Sequence, residues 1–113
     1  MTPTYLPDLA RCELLVESVQ RCAPTLSHHL VVDHRDLPHF RHLADRTTII
    51  TSEDLLPWWV RRLPGRKSVW LSLRSRPTRG WIIQQVLKIA VASQVGADVS
   101  MFCDSDVAFV RPF

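Results

Sequence analysis

Two aspartates, Asp104 and Asp106, stand one residue apart behind the apolar run VSMFC. In an extended chain the side chains at i and i+2 point the same way, so both carboxylates would face one space. Facing carboxylates repel each other unless a hard cation lies beside them, and Mg²⁺ and Mn²⁺ prefer oxygen ligands. The spacing therefore predicts a divalent-metal site at the carboxyl end of a strand. The competing interpretation is a surface turn in which each aspartate bonds its own backbone.

The helix predicted over residues 79–94, just before this motif, carries an unusual polar face. Its apolar face consists of Ile82, Ile83, Val86, Ile89, Ala90 and Val91. The other face, at spacings of i, i+3, i+4 and i+7, consists of Trp81, Gln84, Gln85 and Lys88. Amides and a cation without any acid suit hydrogen bonding to a polar ligand. The alternative is a face that packs against another part of the protein.

The charge distribution favours an anionic partner. Residues 55–97 contain no acid, although the chain has eleven, and they hold eight of its fourteen lysines and arginines. A segment of one sign creates a positive field that attracts a phosphate or a nucleic acid. A solvated basic surface without any ligand is the alternative.

Helices and strands alternate along the chain. Residues 8–21 repeat apolar side chains at helical spacing, and the runs at 29–33, 47–51 and 99–103 predict strands. Residues 63–78 predict a further strand or an extended loop. Strands that alternate with helices favour a mostly parallel sheet flanked by helices, so the predicted fold class is α/β.

Size and composition limit the remaining possibilities. A chain of 113 residues forms one domain at most. No apolar run approaches the roughly eighteen residues needed to cross a bilayer, and the N-terminus lacks the features of a signal peptide. Three cysteines without CxxC spacing predict neither a disulfide framework nor a zinc site, and the five histidines are predicted to lie on the surface. We therefore expect a cytoplasmic protein.

The order of the motifs resembles glycosyltransferases of the GT-A fold. GWIIQQVLKIA followed by MFCDSDVAFVRPF looks like the helix and the strand that precede and carry the DxD motif of those proteins. TPTY and LVVDHRD resemble the ends of the first and second strands of that fold. An uncharacterised bacterial family similar to these transferases has the same order, with TPSY, DLLP, RGW…QQ…K and DSDVVF. The resemblance spans nearly the whole chain.

The resemblance implies a site for a nucleoside-diphosphate sugar, with Mn²⁺ or Mg²⁺ as cofactor. Asp104 matches the acid near the ribose and the metal, and Asp106 matches the acid that holds the metal. Tyr5 and Asp33 match positions near the base, and Arg79 and Lys88 match basic residues near the diphosphate. With two amides of the same helix, the implied donor-binding residues are Tyr5, Asp33, Arg79, Gln84, Gln85 and Lys88. The metal and the basic side chains would neutralise charge on the departing diphosphate. No residue is assigned as a catalytic base.

The chain also departs from this pattern. Domains of this kind continue well beyond the DxD, and the strand before the first helix is here missing or reduced to a stub. We therefore expect a single partial α/β domain over residues 1–113, an incomplete Rossmann-like nucleotide-binding half that ends just after the DxD. Donor binding is expected of this half, while transfer to an unknown acceptor is expected only of a full-length form, so that this chain is inactive alone.

Three other interpretations stay open. A non-enzymatic basic module would bind nucleic acid or another polyanion through RRLPGRK and RSRPTR, with steep salt dependence. A phosphatase of the haloacid-dehalogenase type also places Asp-x-Asp after a strand. The motif of those phosphatases lies at the start of the domain and has Thr or Val two residues after the second aspartate. In this chain that position is Ala108. The third is a remnant without activity.

Overall fold

The computed structural model describes residues 1–57, 60–62, 69–72 and 75–112, and between residues 61 and 81 it describes the backbone alone. Within these ranges the chain forms a parallel sheet, an antiparallel sheet, four α-helices and two single-turn 3-10 helices, Leu6–Asp8 and Arg41–Leu43. The α/β class is confirmed. The parallel sheet with its flanking helices is consistent with part of a Rossmann-like fold.

The parallel sheet contains three short strands in the order β1-β2-β3. They are β1 (Thr2–Pro3), β2 (His29–Val32) and β3 (Thr48–Thr51). β2 and β3 fall where the sequence predicts strands, because their β-branched and leucine side chains pack on both faces of a buried sheet. β1 is the stub expected before the first helix, and Thr4 extends its pairing by donating its N–H to the carbonyl of Val31 at 2.9 Å.

Two long helices flank this sheet. They are α1 (Leu9–Cys22) and α4 (Gly80–Val95), each displaced by one residue from the predicted span. Gly96, with a φ of 60°, ends α4 in the left-handed conformation that a glycine adopts without strain. Two short helices, α2 (Leu37–Phe40) and α3 (Ser52–Leu55), follow β2 and β3. No helix in the described residues is long and apolar enough to cross a membrane.

The core consists of one layer on each face of β2. Leu30 and Val32 point to the α1 side, and Val31 points to the α4 side. The α1 layer also contains Cys12, Val16, Phe40 and Leu43. The α4 layer also contains Leu55, Leu56, Ile83, Leu87 and Val91. Because successive side chains of a strand point to opposite faces of the sheet, the central strand β2 contributes residues to both layers.

A second sheet, antiparallel, lies between α3 and α4 along the chain. Its strands are β4 (Val60–Arg62), β5 (Val69–Ser72) and β6 (Ser75–Arg79), in that order. The strand predicted within residues 63–78 corresponds to β5, whereas β4 and the pairing of β6 were not predicted. Because β6 ends at Arg79 and α4 begins at Gly80, this sheet leads directly into the helix that precedes the DxD segment.

The prediction of a strand over residues 99–103 is wrong. The segment runs beside Met1, where the N–H of Cys103 donates to the Met1 carbonyl at 3.1 Å and the Met1 amine donates to the Met101 carbonyl at 2.8 Å. This pairing is too short for a strand, since β1 itself has only two residues. The segment is therefore tied to Met1, the residue before β1, and does not join the parallel sheet as a fourth strand.

Candidate functional site

Acidic side chains join the loops that follow the three parallel strands. Asp36 Oδ2 accepts a hydrogen bond from the N–H of Leu6 at 2.9 Å, which joins the loop after β2 to the loop after β1. Glu53 Oε2 accepts one from the N–H of His34 at 3.0 Å, which joins the start of α3 to the loop after β2. Carboxylate acceptors make stronger bonds than neutral ones, so these contacts hold the loops together at one sheet edge.

The DxD segment reaches this edge as a turn rather than as an extended strand. The N–H of Val107 donates to the carbonyl of Asp104 at 3.4 Å. Ser105 is buried, and its hydroxyl donates to Asp8 Oδ2 at 3.4 Å. Asp104 and Asp106 are both exposed. The predicted extended geometry is therefore wrong, but both acids face solvent because the serine between them points inward.

The residues after the DxD lie against α1. The N–H of Phe109 donates to Ser18 Oγ at 3.0 Å, and the thiol of Cys22 donates to the Phe109 carbonyl at 3.5 Å. The DxD turn is thus fixed by Met1 before it, by Asp8 beneath it and by α1 after it.

Lys88 of α4 forms an ion pair with the first acid of the DxD. Its Nζ lies 3.1 Å from Asp104 Oδ1. The Lys88 side chain is 19% exposed and that of Asp104 is 71% exposed, so the ammonium reaches out of a packed helix to a carboxylate at the surface. The ion pair places Lys88 beside the DxD turn.

Among the described side chains of α4, neither Gln84 nor Gln85 forms a hydrogen bond with the DxD. Gln84 is exposed and Gln85 is half-buried, one helical turn before Lys88. The backbone of Arg79 ends β6, but its side chain lies outside the described residues. Donor binding by these three residues stays a prediction.

Tyr5 comes two residues after the end of β1, and Asp33 comes directly after the end of β2. The register pairs Pro3 with Val31, and its continuation by two residues brings Tyr5 level with Asp33. Tyr5 is 45% exposed, so its ring is accessible at this edge. Asp33 is buried, and its Oδ1 accepts a hydrogen bond from the N–H of Arg35 at 3.1 Å. The structure brings the pair to one edge, while binding of a base there stays a prediction.

Four residues that shape this edge were not predicted for that role: Asp8, Asp36, Glu53 and Ser105. Asp8 is the residue before α1, but it makes no side-chain capping bond there. A signal was available, since one acid follows each strand end within a few residues, in TYLPD, DHRD and TSED. The partner of each acid could not be read from the sequence, because each bond joins segments distant along the chain.

The chain matches a family of unknown function, DUF6492, over residues 2–113. The protein belongs to the DUF6492 family. No curated protein and no solved structure matches it. The family description assigns no activity to DUF6492 proteins.

The chemistry of the DxD donors fits a hard divalent cation. In the part of this DUF6492 protein that the structure describes, no three His, Cys, Asp or Glu side chains come together as a ready-made ligand set. Two exposed carboxylates are available on the DxD turn, one of them shared with Lys88. Mg²⁺ and Mn²⁺ often keep waters and use one or two carboxylates plus substrate phosphates, so this donor set suits a site that a ligand completes.

The neighbouring thiol does not compete for this role. Burial raises the pKa of Cys103, and the adjacent carboxylates of Asp104 and Asp106 raise it further, against the opposing effect of the Met1 ammonium. A neutral thiol is a poor ligand for a hard cation. The oxygen atoms of the DxD are therefore the donors that matter.

Proposed function

We propose that this edge binds a nucleoside-diphosphate sugar together with Mn²⁺ or Mg²⁺, as the donor-binding part of a GT-A-like glycosyltransferase. The observation that carries the proposal is the ion pair between Lys88 and Asp104. It brings a cation suited to a diphosphate and a carboxylate suited to a metal into one place. A site that must hold both a divalent ion and phosphates needs these two kinds of group side by side.

The position of the site in the fold supports the same proposal. Ligands of open α/β sheets bind in the crevice outside the carboxyl ends of the strands. Here the loops after β1, β2 and β3 meet at that edge, joined by Asp36 and Glu53. Tyr5 offers an exposed ring at the same edge, where a nucleotide base could stack.

Each residue has a role in this proposal. Asp104 and Asp106 would hold the metal, which when bound would neutralise charge on the departing diphosphate. Lys88 would contact the diphosphate. Ser105 keeps the two acids pointing outward by its bond to Asp8. No side chain is assigned as a catalytic base.

Calorimetric titration of UDP and GDP tests the proposal. We expect binding of at least one nucleotide in Mn²⁺, and a loss of about tenfold or more when chelator replaces the metal, because a carboxylate pair alone repels a diphosphate. Asp106→Ala should reduce the affinity similarly.

The matched control is Asp45→Ala. Asp45 is also an exposed acid, 70% exposed, but it precedes the amino end of β3 at the opposite sheet edge. Its replacement should leave nucleotide affinity unchanged. Binding that is independent of Mn²⁺ and equal in the two variants would remove the DxD from the proposed function.

A further inference from the structure

The ion pair of Lys88 has a consequence for the order in which ligands bind. The Lys88 side chain extends from α4, whose neighbouring residues Leu87 and Val91 are buried in the α4 layer. The ammonium of Lys88 is therefore held near Asp104, and most of the Lys88 side chain between the helix and the ammonium is buried. In the absence of any ligand, this carboxylate already has a positive partner.

A divalent ion that approaches Asp104 meets this charge. Like charges a few ångströms apart repel, and a separation this far below the Debye length of about 8–10 Å leaves little screening by salt. Lys88 also occupies one of the four carboxylate oxygens that the DxD can offer, since its Nζ lies 3.1 Å from Asp104 Oδ1. The cation alone is thus opposed in two ways by the same side chain.

A diphosphate reverses this relation. It supplies oxygen atoms that both the divalent ion and the ammonium can contact, so the two cations no longer compete for one carboxylate. We propose that Lys88 is an internal counter-cation of Asp104, which competes with the divalent ion in the empty site and is transferred to the diphosphate when metal and nucleotide bind together. This inference rests on the proposed function and adds to it a mechanism that disfavours metal binding without donor.

An ordinary surface ion pair would behave differently. Such pairs contribute little, and their removal has no specific effect on a third partner. The proposal instead requires opposite changes in two affinities when the charge of Lys88 is removed. The affinity for Mn²⁺ alone must rise, whereas the affinity for UDP or pyrophosphate in Mn²⁺ must fall.

The first measurement uses Mn²⁺ alone, detected by the loss of the free-ion electron paramagnetic resonance signal. Lys88→Met keeps the apolar stem and removes the charge, and it should tighten Mn²⁺ binding about fivefold. Lys88→Arg keeps the charge and should resemble the natural protein. Arg46→Gln, a control for net charge, removes a cation beside Asp45 at the opposite sheet edge and should change the affinity by less than about twofold.

The second measurement titrates UDP and inorganic pyrophosphate in saturating Mn²⁺. Lys88→Met should weaken both about tenfold, because each contains the diphosphate that the ammonium contacts. Unchanged Mn²⁺ affinity in Lys88→Met, or no Mn²⁺ binding by any variant, would overturn the competition. Tighter Mn²⁺ binding with unchanged pyrophosphate affinity would overturn the transfer to the diphosphate. Failure of the proposed function has a different signature, since UDP would then not bind to the natural protein even when the Mn²⁺ results hold.

Discussion

A buried serine between two exposed acids determines how the DxD turn presents its carboxylates. Ser105 donates to Asp8 beneath the turn, while Asp104 and Asp106 remain at the surface. Asp8 also pairs with Arg11 at 3.5 Å, so this carboxylate lies between two donors. The serine therefore contributes to the site by orientation and not by contact with a ligand.

Replacement of this serine tests the anchor. Ser105→Ala should lower the free energy of unfolding by about 1 kcal/mol, because the buried serine hydroxyl is lost and the half-buried Asp8 carboxylate loses its donor. The control is Ser93→Ala, which removes an exposed hydroxyl bonded to the carbonyl of its own helix, and should change stability by less than about 0.5 kcal/mol. Urea unfolding measures both, and equal losses would contradict the anchoring role.

His28 is a second residue whose surroundings determine its chemistry. The histidines were predicted to lie on the surface, which is wrong for His28 and His29: both are half-buried, and the Nδ1 of each is buried with no partner among the described residues. The Nε2 atom of His28 lies 3.1 Å from Thr2 Oγ1. Burial, followed by the nearby Met1 ammonium, lowers the pKa of His28 from 6.5 to about 4. The folded protein thus holds this imidazole neutral where the unfolded chain would protonate it.

The sign of the resulting pH dependence follows from linkage. Between pH 6.5 and about 4 the unfolded state binds the proton that the folded state refuses, so stability falls as pH falls through this window. After an allowance for solvent screening, we expect a loss of about 1–2 kcal/mol from this group. Urea unfolding at several pH values should show a shallower slope in His28→Gln, whereas replacement of the exposed His39 by Gln should leave the slope unchanged. Parallel slopes in His28→Gln and the natural protein would contradict the assignment.

At the scale of elements, helices were easier to predict than strand pairing. The periodic side chains of α1 and α4 predicted their limits to within one residue, because a helix forms its hydrogen bonds within one segment. The segment 99–103 was predicted as a strand from its apolar residues, yet a strand also needs a partner of sufficient length. Its partner is Met1 beside a two-residue strand, a fact that no local pattern contains.

The face of α4 was predicted only in part. Ile83 and Val91 are buried as expected, whereas Ile82, Val86 and Ile89 are exposed at 45%, 43% and 72%. The apolar face of α4 is wider than the face that packs against the core, so hydropathy alone could not identify which apolar residues are buried. The burial of Leu87, which the prediction omitted, completes the stripe at i, i+4 and i+8.

A pair of alanine substitutions tests which face supports the core. Leu87→Ala should lower the free energy of unfolding by about 2–4 kcal/mol, because it opens a cavity in the α4 layer. Ile89→Ala, on the same helix but 72% exposed, should change it by less than about 0.5 kcal/mol. Urea unfolding of both variants provides the comparison. Equal losses would mean that the exposed stripe is covered in the folded protein.

At the scale of the whole molecule, charge is distributed unevenly along the chain, and the site lies at the boundary. Residues 55–97 supply eight cations and no acid, while Asp104 and Asp106 come shortly after them. In the described residues, the proposed site joins the acid-free segment to the DxD by one ion pair, from Lys88 to Asp104. A polyanion would instead use the field of the whole segment, so the two interpretations differ in how many charges a ligand neutralises.

Salt dependence separates these interpretations. A protein that makes six to ten phosphate contacts loses about 10³–10⁵ in affinity between about 50 and 200 mM salt, because it releases that many counterions. A mononucleotide held by one metal and one or two cations should lose only about tenfold over the same range. We expect the affinity for UDP in Mn²⁺ to follow the shallow dependence and to be lost in Asp106→Ala. A twelve-nucleotide single-stranded RNA, titrated under the same conditions, is the comparison. Tight, Mn²⁺-independent RNA binding with a steep salt slope, unchanged in Asp106→Ala, together with no UDP binding, would establish the basic module instead of the donor site.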